Sequence, residues 1–127
     1  MPEQPDPPTD LPDLTADLDA EDAKLVTLAR ATRARARARE GAAVRDLDGR
    51  TYAAASIRLE HLRLSALEVC VAMAISSGST GLEAAVVLTD GDLVDVAAAS
   101  EFAGPGVPVL VGGPDGRIHT RESTHGT

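Results

Sequence analysis

Two consecutive runs decide the fold. The first is Leu62-Arg-Leu-Ser-Ala-Leu-Glu-Val-Cys-Val-Ala-Met-Ala-Ile-Ser-Ser-Gly78, and after a three-residue gap the second is Leu82-Glu-Ala-Ala-Val-Val-Leu-Thr89. From Leu64 to Ile75 only Ser65 and Glu68 are polar. A run of that length exceeds an ordinary strand and is apolar nearly all round, so it predicts a buried helix over 62–77. Ser76-Ser77-Gly78 supplies its stop, because glycine reaches the left-handed conformation without steric cost. Ala84 to Leu88 is an unbroken apolar run of strand length, the pattern of a strand covered on both faces. Buried helix, turn and buried strand together read as the middle of an α/β sandwich.

Working outward, Asp48-Gly49 is a hairpin turn signal between two strand-like runs spanning Gly41 to Ile57. Upstream, Glu21 to about Arg39 is rich in helix-favouring Ala, Leu and Arg. Downstream, Asp90 or Asp92 caps a helix expected over about 93–103 and closed by Gly104. Val107–Val111 reads as a strand whose Pro108 belongs at an edge or first position. Gly112-Gly-Pro-Asp-Gly116 is a turn, and Arg117–His119 starts a last short strand. The expected architecture is a three-layer α/β/α sandwich, with a mixed sheet of about five strands and three helices. Residues 1–22 are expected to be an acidic, Pro-rich disordered leader, 23–120 the folded domain, and 121–127 a mobile tail.

The totals narrow the function. The net charge of −8 is a property of the leader: residues 1–22 carry eight acids and no base, whereas 23–127 carry twelve of each. Tyr52 and Phe102 are the only aromatic residues, so stacking a nucleobase between aromatic rings is nearly excluded by inventory. The lone Cys70 sits within the expected buried helix, has no disulfide partner, and reads as a small apolar core residue. With no secretory signal pattern and no membrane-length apolar segment, a cytoplasmic protein is expected.

The arginines form a second feature. Arg30, Arg33, Arg35, Arg37 and Arg39 fall within ten residues at a helix C-terminus. Cations there favour the helix dipole. The alternative is a phosphate- or RNA-contacting run, with Arg33, Arg35, Arg37 and Arg39 as the contacts.

At this point the chain resembles the cytidine deaminase family of small zinc-dependent nucleoside deaminases, over about 24–118. Gly41-Ala42-Ala43-Val44, Asp48-Gly49 and Tyr52 fall on the family's first hairpin. Ser65 to Gly78 has the length of its ligand-bearing helix, and Glu101-Phe102 with Val107-Pro-Val-Leu-Val111 matches its third helix and following strand. The resemblance implies a zinc ion held by three Cys/His ligands and a Glu that moves protons between the metal-bound water and the base. Here the helix ligand position falls on Ser65, the proton-shuttling Glu on Leu67, and the two remaining ligands on Asp92 and Asp95. The residues that hold the sugar fall on Ser56 and Arg58, and the pocket phenylalanine near Ala38. Oxygen donors such as Ser65, Asp92 and Asp95 suit harder ions than zinc. Asp92 and Asp95 read more simply as first-turn acids of a helix.

The expectation is therefore a deaminase-like scaffold whose vestigial pocket is Ser56, Arg58, Ser65, Leu67, Asp92 and Asp95. It has no catalytic residue and no metal, and it acts in binding or assembly. The first alternative is an active cytidine or pyrimidine nucleoside deaminase drawing on Cys70, His61 or His119, with His61 one turn before Ser65 on the same helix. The second is an RNA- or ribosome-associated accessory protein. The resemblance further implies a homodimer or homotetramer, leaves a nucleoside ligand open, and gives no role at a membrane.

Overall fold

The computed structural model describes residues 12–91 and 93–126. The leader expected over 1–22 therefore lies outside the described residues as far as residue 11, and so does Asp92. The chain runs through α1 (Ala20–Ala36), β1 (Glu40–Asp46), β2 (Thr51–Ala55), β3 (Ile57–Arg58), β4 (Arg63–Leu64), α2 (Ala66–Ser76), β5 (Leu82–Thr89), α3 (Ala97–Ala103), β6 (Pro108–Gly112) and β7 (Ile118–Ser123). The main sheet has the order β2-β1-β5-β6-β7, with β5 and β6 parallel and every other pairing antiparallel. The two-residue strands β3 and β4 form a separate small hairpin.

Side-chain alternation along the central strands explains the three layers. Ala43, Val86, Leu88, Leu110 and Ile118 point to one face, where Leu25, Val26 and Ala29 of α1 cover them. Ala42, Val44, Ala85, Val87 and Val109 point to the other, where α2 supplies Leu67, Cys70, Val71 and Ala74, and α3 supplies Ala99. Both faces of β1 and β5 are thus dry, as the unbroken apolar runs require. With so few aromatic residues, the layers close on small side chains. At Gly41 an added Cβ would lie 2.6 Å from the Arg33 Cβ and collide with the Ala29 carbonyl, so α1 rests on β1 only because that position is glycine.

The edges of several elements differ from the sequence reading. Residues 12–22 are not a separate leader. Leu14 and Leu18 pack against the α1 face, and the Leu14 N–H donates to the Ile118 carbonyl at 2.8 Å. The Asp19 side chain then caps α1 by accepting from the Asp22 N–H at 2.8 Å. The central helix starts at Ala66, not at 62. Ser65 accepts from the Glu68 N–H at 3.0 Å while the Glu68 carboxylate accepts from the Ser65 N–H at 2.8 Å, a reciprocal capping box. His61 is accordingly in an exposed bend and not on the helix. The helix is also not buried all round: it is an outer layer, so Met73 and Ile75 are 37% and 53% exposed. The helix expected from 93 starts only at Ala97, where the Asp95 side chain accepts from the Ala97 N–H. Finally, β7 runs to Ser123 along β6, and the buried Thr124 hydroxyl accepts from the Val107 N–H and donates to the Gly104 carbonyl. The tail from 121 is therefore part of the sheet as far as those bonds reach.

Candidate functional site

The depression belongs to one end of the sheet, where β1 begins, β5 ends and α2 starts. The chain enters β1 from the end of α1 through Arg37, whose φ of 54° is the one left-handed value at a non-glycine position among the described residues. The Arg37 N–H closes α1 on the Ala34 carbonyl, and the Arg33 guanidinium donates to the Ala38 carbonyl at 3.1 Å. That turn delivers Glu40 to the mouth of the sheet. The Glu40 carboxylate accepts from the Ala66 N–H at 3.3 Å and from the Thr89 hydroxyl at 3.1 Å. A single side chain thereby ties the start of β1 to the end of β5 and to the first turn of α2. A carboxylate suits that position, because the helix dipole is positive there. The Glu40 N–H in turn donates to Ser56 Oγ at 3.1 Å.

Around this tie lies an open depression of about 750 Å3, walled by the end of α1, the start of β1, the β3–β4 hairpin and the loop after β5. Four arginines line it: Arg37, Arg39, Arg58 and Arg63. Arg39 pairs with Asp90 across the mouth at 3.3 Å, with both side chains largely exposed. Arg63 donates through Nε to the Leu59 carbonyl at 3.2 Å.

Of the positions expected to form a vestigial pocket, Ser56, Arg58 and Ser65 line the depression together. Leu67 does not. It is 1% exposed and turned into the core with Cys70 and Val71, because the residue two positions after an N-cap faces the sheet here. Asp95 is likewise outside the depression, exposed, and engaged with the Ala97 N–H. Asp92 lies outside the described residues. Of the arginine run, Arg37 and Arg39 reach the depression, whereas Arg33 serves the helix end and Arg35 is exposed in the last turn of α1. The sequence reading missed Glu40, Thr89 and Asp90. The available signal was a charged residue directly before an apolar strand, and a Thr-Asp pair at the end of another.

Zinc in this fold would need three sulfur or nitrogen donors brought together. Ser65 Oγ is already engaged as the acceptor of the α2 cap, Asp95 is engaged by the Ala97 N–H, and Leu67 has no donor atom for a metal. Cys70 is sealed in the core, its Sγ 3.6 Å from the Tyr52 carbonyl, and burial pushes its thiol pKa up to about 12, far from the thiolate that binds metals. His61 is in its exposed bend, and His119 sits on β7 with Nδ1 3.3 Å from the Pro12 carbonyl. Among the described residues no three His, Cys, Asp or Glu side chains come together as a metal group. Among the described residues, these side chains do not make a zinc-binding set.

The opposite end of β1 is built differently. Asp46 is buried, and its Oδ1 accepts from the Asp48 and Arg50 N–H groups, both at 2.9 Å. Its Oδ2 accepts from the Ser79 hydroxyl at 2.5 Å, and the Tyr52 hydroxyl is 3.4 Å away. The Ser79 bond, helped by the two backbone donors, holds the Asp46 carboxyl below the usual carboxylate range despite its burial.

Three comparisons with known proteins bear on this geometry. The profile of the family described as cytidine deaminase-like matches residues 18–116. Among solved structures, the chain is similar to cytidine deaminase from Mycobacterium leprae, with a TM-score of 0.65 at 18% identity over 84% of this chain and 95% of that one. It is also similar to a point mutant of cytidine deaminase from Mycobacterium tuberculosis, with a TM-score of 0.60 at 21% identity over 80% and 91% of the two chains. A comparison with curated protein sequences finds no match.

Proposed function

The chain belongs to the cytidine deaminase-like family, and from that premise we propose that it is a non-catalytic member that binds or assembles. The observation that carries this reading is the commitment of the first turn of α2. Where the resemblance puts a metal ligand, Ser65 serves as a helix cap; where it puts the proton carrier, Leu67 is packed into the core. Hydrolytic deamination requires an activated water and a group to move its proton. Around Ser65 the described residues include no metal group to activate a water, and the nearby Glu40 carboxylate is engaged by the Ala66 N–H and the Thr89 hydroxyl. The alternative deaminase reading would need two of Cys70, His61 and His119 to converge near Ser65, and they occupy a core, a bend and an edge strand.

The test is direct. Purified protein is incubated with cytidine and deoxycytidine, ammonia release is followed, and bound zinc is measured. No release and no stoichiometric zinc are expected. Turnover together with one zinc per chain ends the non-catalytic reading.

Assembly through α2 is part of the same proposal. Met73 and Ile75 of α2 are 37% and 53% exposed, apolar side chains that contact with a second copy would cover. Sedimentation of the full chain as a dimer or tetramer, lost on Ile75→Glu, checks it. Among the described residues no helix is long and apolar enough to cross a membrane.

A further inference from the structure

Among the side chains that face the depression, four arginines stand against two carboxylates, so donors are in surplus. Both carboxylates are already engaged: Glu40 takes the Ala66 N–H and the Thr89 hydroxyl, and Asp90 takes Arg39. Ser56 Oγ accepts from the Glu40 N–H and Ser65 Oγ from the Glu68 N–H, so each serine keeps its hydroxyl hydrogen for a further partner. Arg37 and Arg58 make no ion pair among the described residues, and Arg63 uses only Nε, leaving its terminal nitrogens.

From this surplus we propose that the depression is a receptor for a small phosphate monoester, with Arg37, Arg58 and Arg63 on the phosphate and the Ser56 and Ser65 hydroxyls completing its acceptors. The inference rests on the non-catalytic reading, because it gives the former reaction pocket to a ligand that is held and not turned over. A phosphate presents acceptors only, which is the complement of what the depression has left, and guanidinium groups match its geometry in a bidentate fork. The space suits a nucleoside-sized body, since pockets for small organic ligands run to roughly 300–1,000 Å3. Ile57, Leu64 and Leu93 provide apolar wall for that body.

Two further observations favour a small ligand over a nucleic-acid strand. Arg35 and Arg33 of the same run do not face the depression, so there is no continuous track of charge along α1. No aromatic side chain lines it either, so successive bases have no stacking platform.

The experiment uses the full chain at low ionic strength and titrates it by calorimetry with inorganic phosphate, cytidine 5′-monophosphate and cytidine. The monophosphate is expected to bind at least tenfold more tightly than cytidine, and inorganic phosphate to compete with it. Arg58→Ala is expected to weaken the monophosphate at least tenfold. Arg37→Gly is the sharper variant: it relieves the strained backbone, so Tm should rise while binding falls. The control Arg121→Ala, on β7, should leave binding unchanged. Equal affinity for cytidine and its monophosphate, or full binding in both Arg37→Gly and Arg58→Ala, overturns the proposal. Displacement of the monophosphate by a single-stranded RNA at lower concentration, with a salt slope reporting several phosphates, also overturns it in favour of nucleic acid. Ammonia assayed in the same samples separates the two readings. Release with monophosphate binding intact removes the non-catalytic premise alone, and silence without binding removes the receptor alone.

Discussion

Strand β1 carries a carboxylate at each end, and the two are placed in opposite circumstances. Asp46 is sealed beneath its own hairpin, with both oxygens saturated by groups from the turn, β2 and the segment after α2. Glu40 is half-buried, reaches across to α2 and β5, and stands beside arginines whose charge the described carboxylates do not balance. The first arrangement is buried and complete, as expected of a group whose work is structural. The second bridges distant parts of the chain and leaves donors over, as expected where something else is to be met. The difference teaches where this fold spends its polar groups: one tip is closed for stability, the other is kept open beside a cavity.

Four substitutions break or sharpen that contrast, in descending order of effect. Leu67→Ala, beneath the open tip, should cost about 2–5 kcal/mol by leaving a cavity in a packed core. Denaturant unfolding checks it, and a near-neutral result would mean that Leu67 lines the depression after all.

Asp46→Ala should lower Tm by roughly 5–10 °C, since it strands several donors at the closed tip. Its pH signature has a definite sign. The carboxyl is held below its unfolded value of about 3.9, so its contribution is complete above that pH and is lost as pH falls through the lower folded value. Thermal melts between neutrality and pH 2 should therefore show a steeper acid loss in the wild type than in Asp46→Asn.

Glu40→Ala should cost less, about 1–2 kcal/mol, because the Ala66 N–H and the Thr89 hydroxyl can turn to water in an open depression. If it proves more damaging than Asp46→Ala, the contrast between the tips is inverted. Ser65→Ala removes one cap bond and should cost about 1 kcal/mol. Urea titration measures both, and the double variant should be non-additive, since the two residues serve the same turn.

The layers were legible from sequence where the pattern was local and long. Leu64 to Ile75 and Ala84 to Leu88 are apolar over more residues than a loop tolerates, and Asp48-Gly49 marks its turn unaided. The start of α2 was legible too, through Ser65-x-x-Glu68, but the leucines at 62 and 64 continue the apolar run and draw the expected helix four residues too early. The end of β7 was hidden because Thr120 to Ser123 lie on an edge strand with exposed side chains, so no alternation marks them. Leu14 and Leu18 look isolated in a Pro-rich, acidic stretch, and their burial depends on Ile118, more than 90 residues away. The same reason hid Glu40. Its partners lie 26 and 49 positions downstream, and no spacing rule reaches that far. Ser56, Arg58 and Ser65 were found only because a family resemblance supplied the long-range arrangement that local periodicity lacks.

Cys70 gives the molecule a built-in clock. Its thiol is the only one in the chain, is shut inside the core between α2 and the sheet, and is too weakly acidic to react while it stays there. Any alkylating reagent that modifies it must wait for the sandwich to open, so the rate of labelling counts openings. One sulfur atom thus reports, without an added dye, how firmly α2 is held against the sheet and how much tighter that hold becomes when a ligand occupies the far mouth.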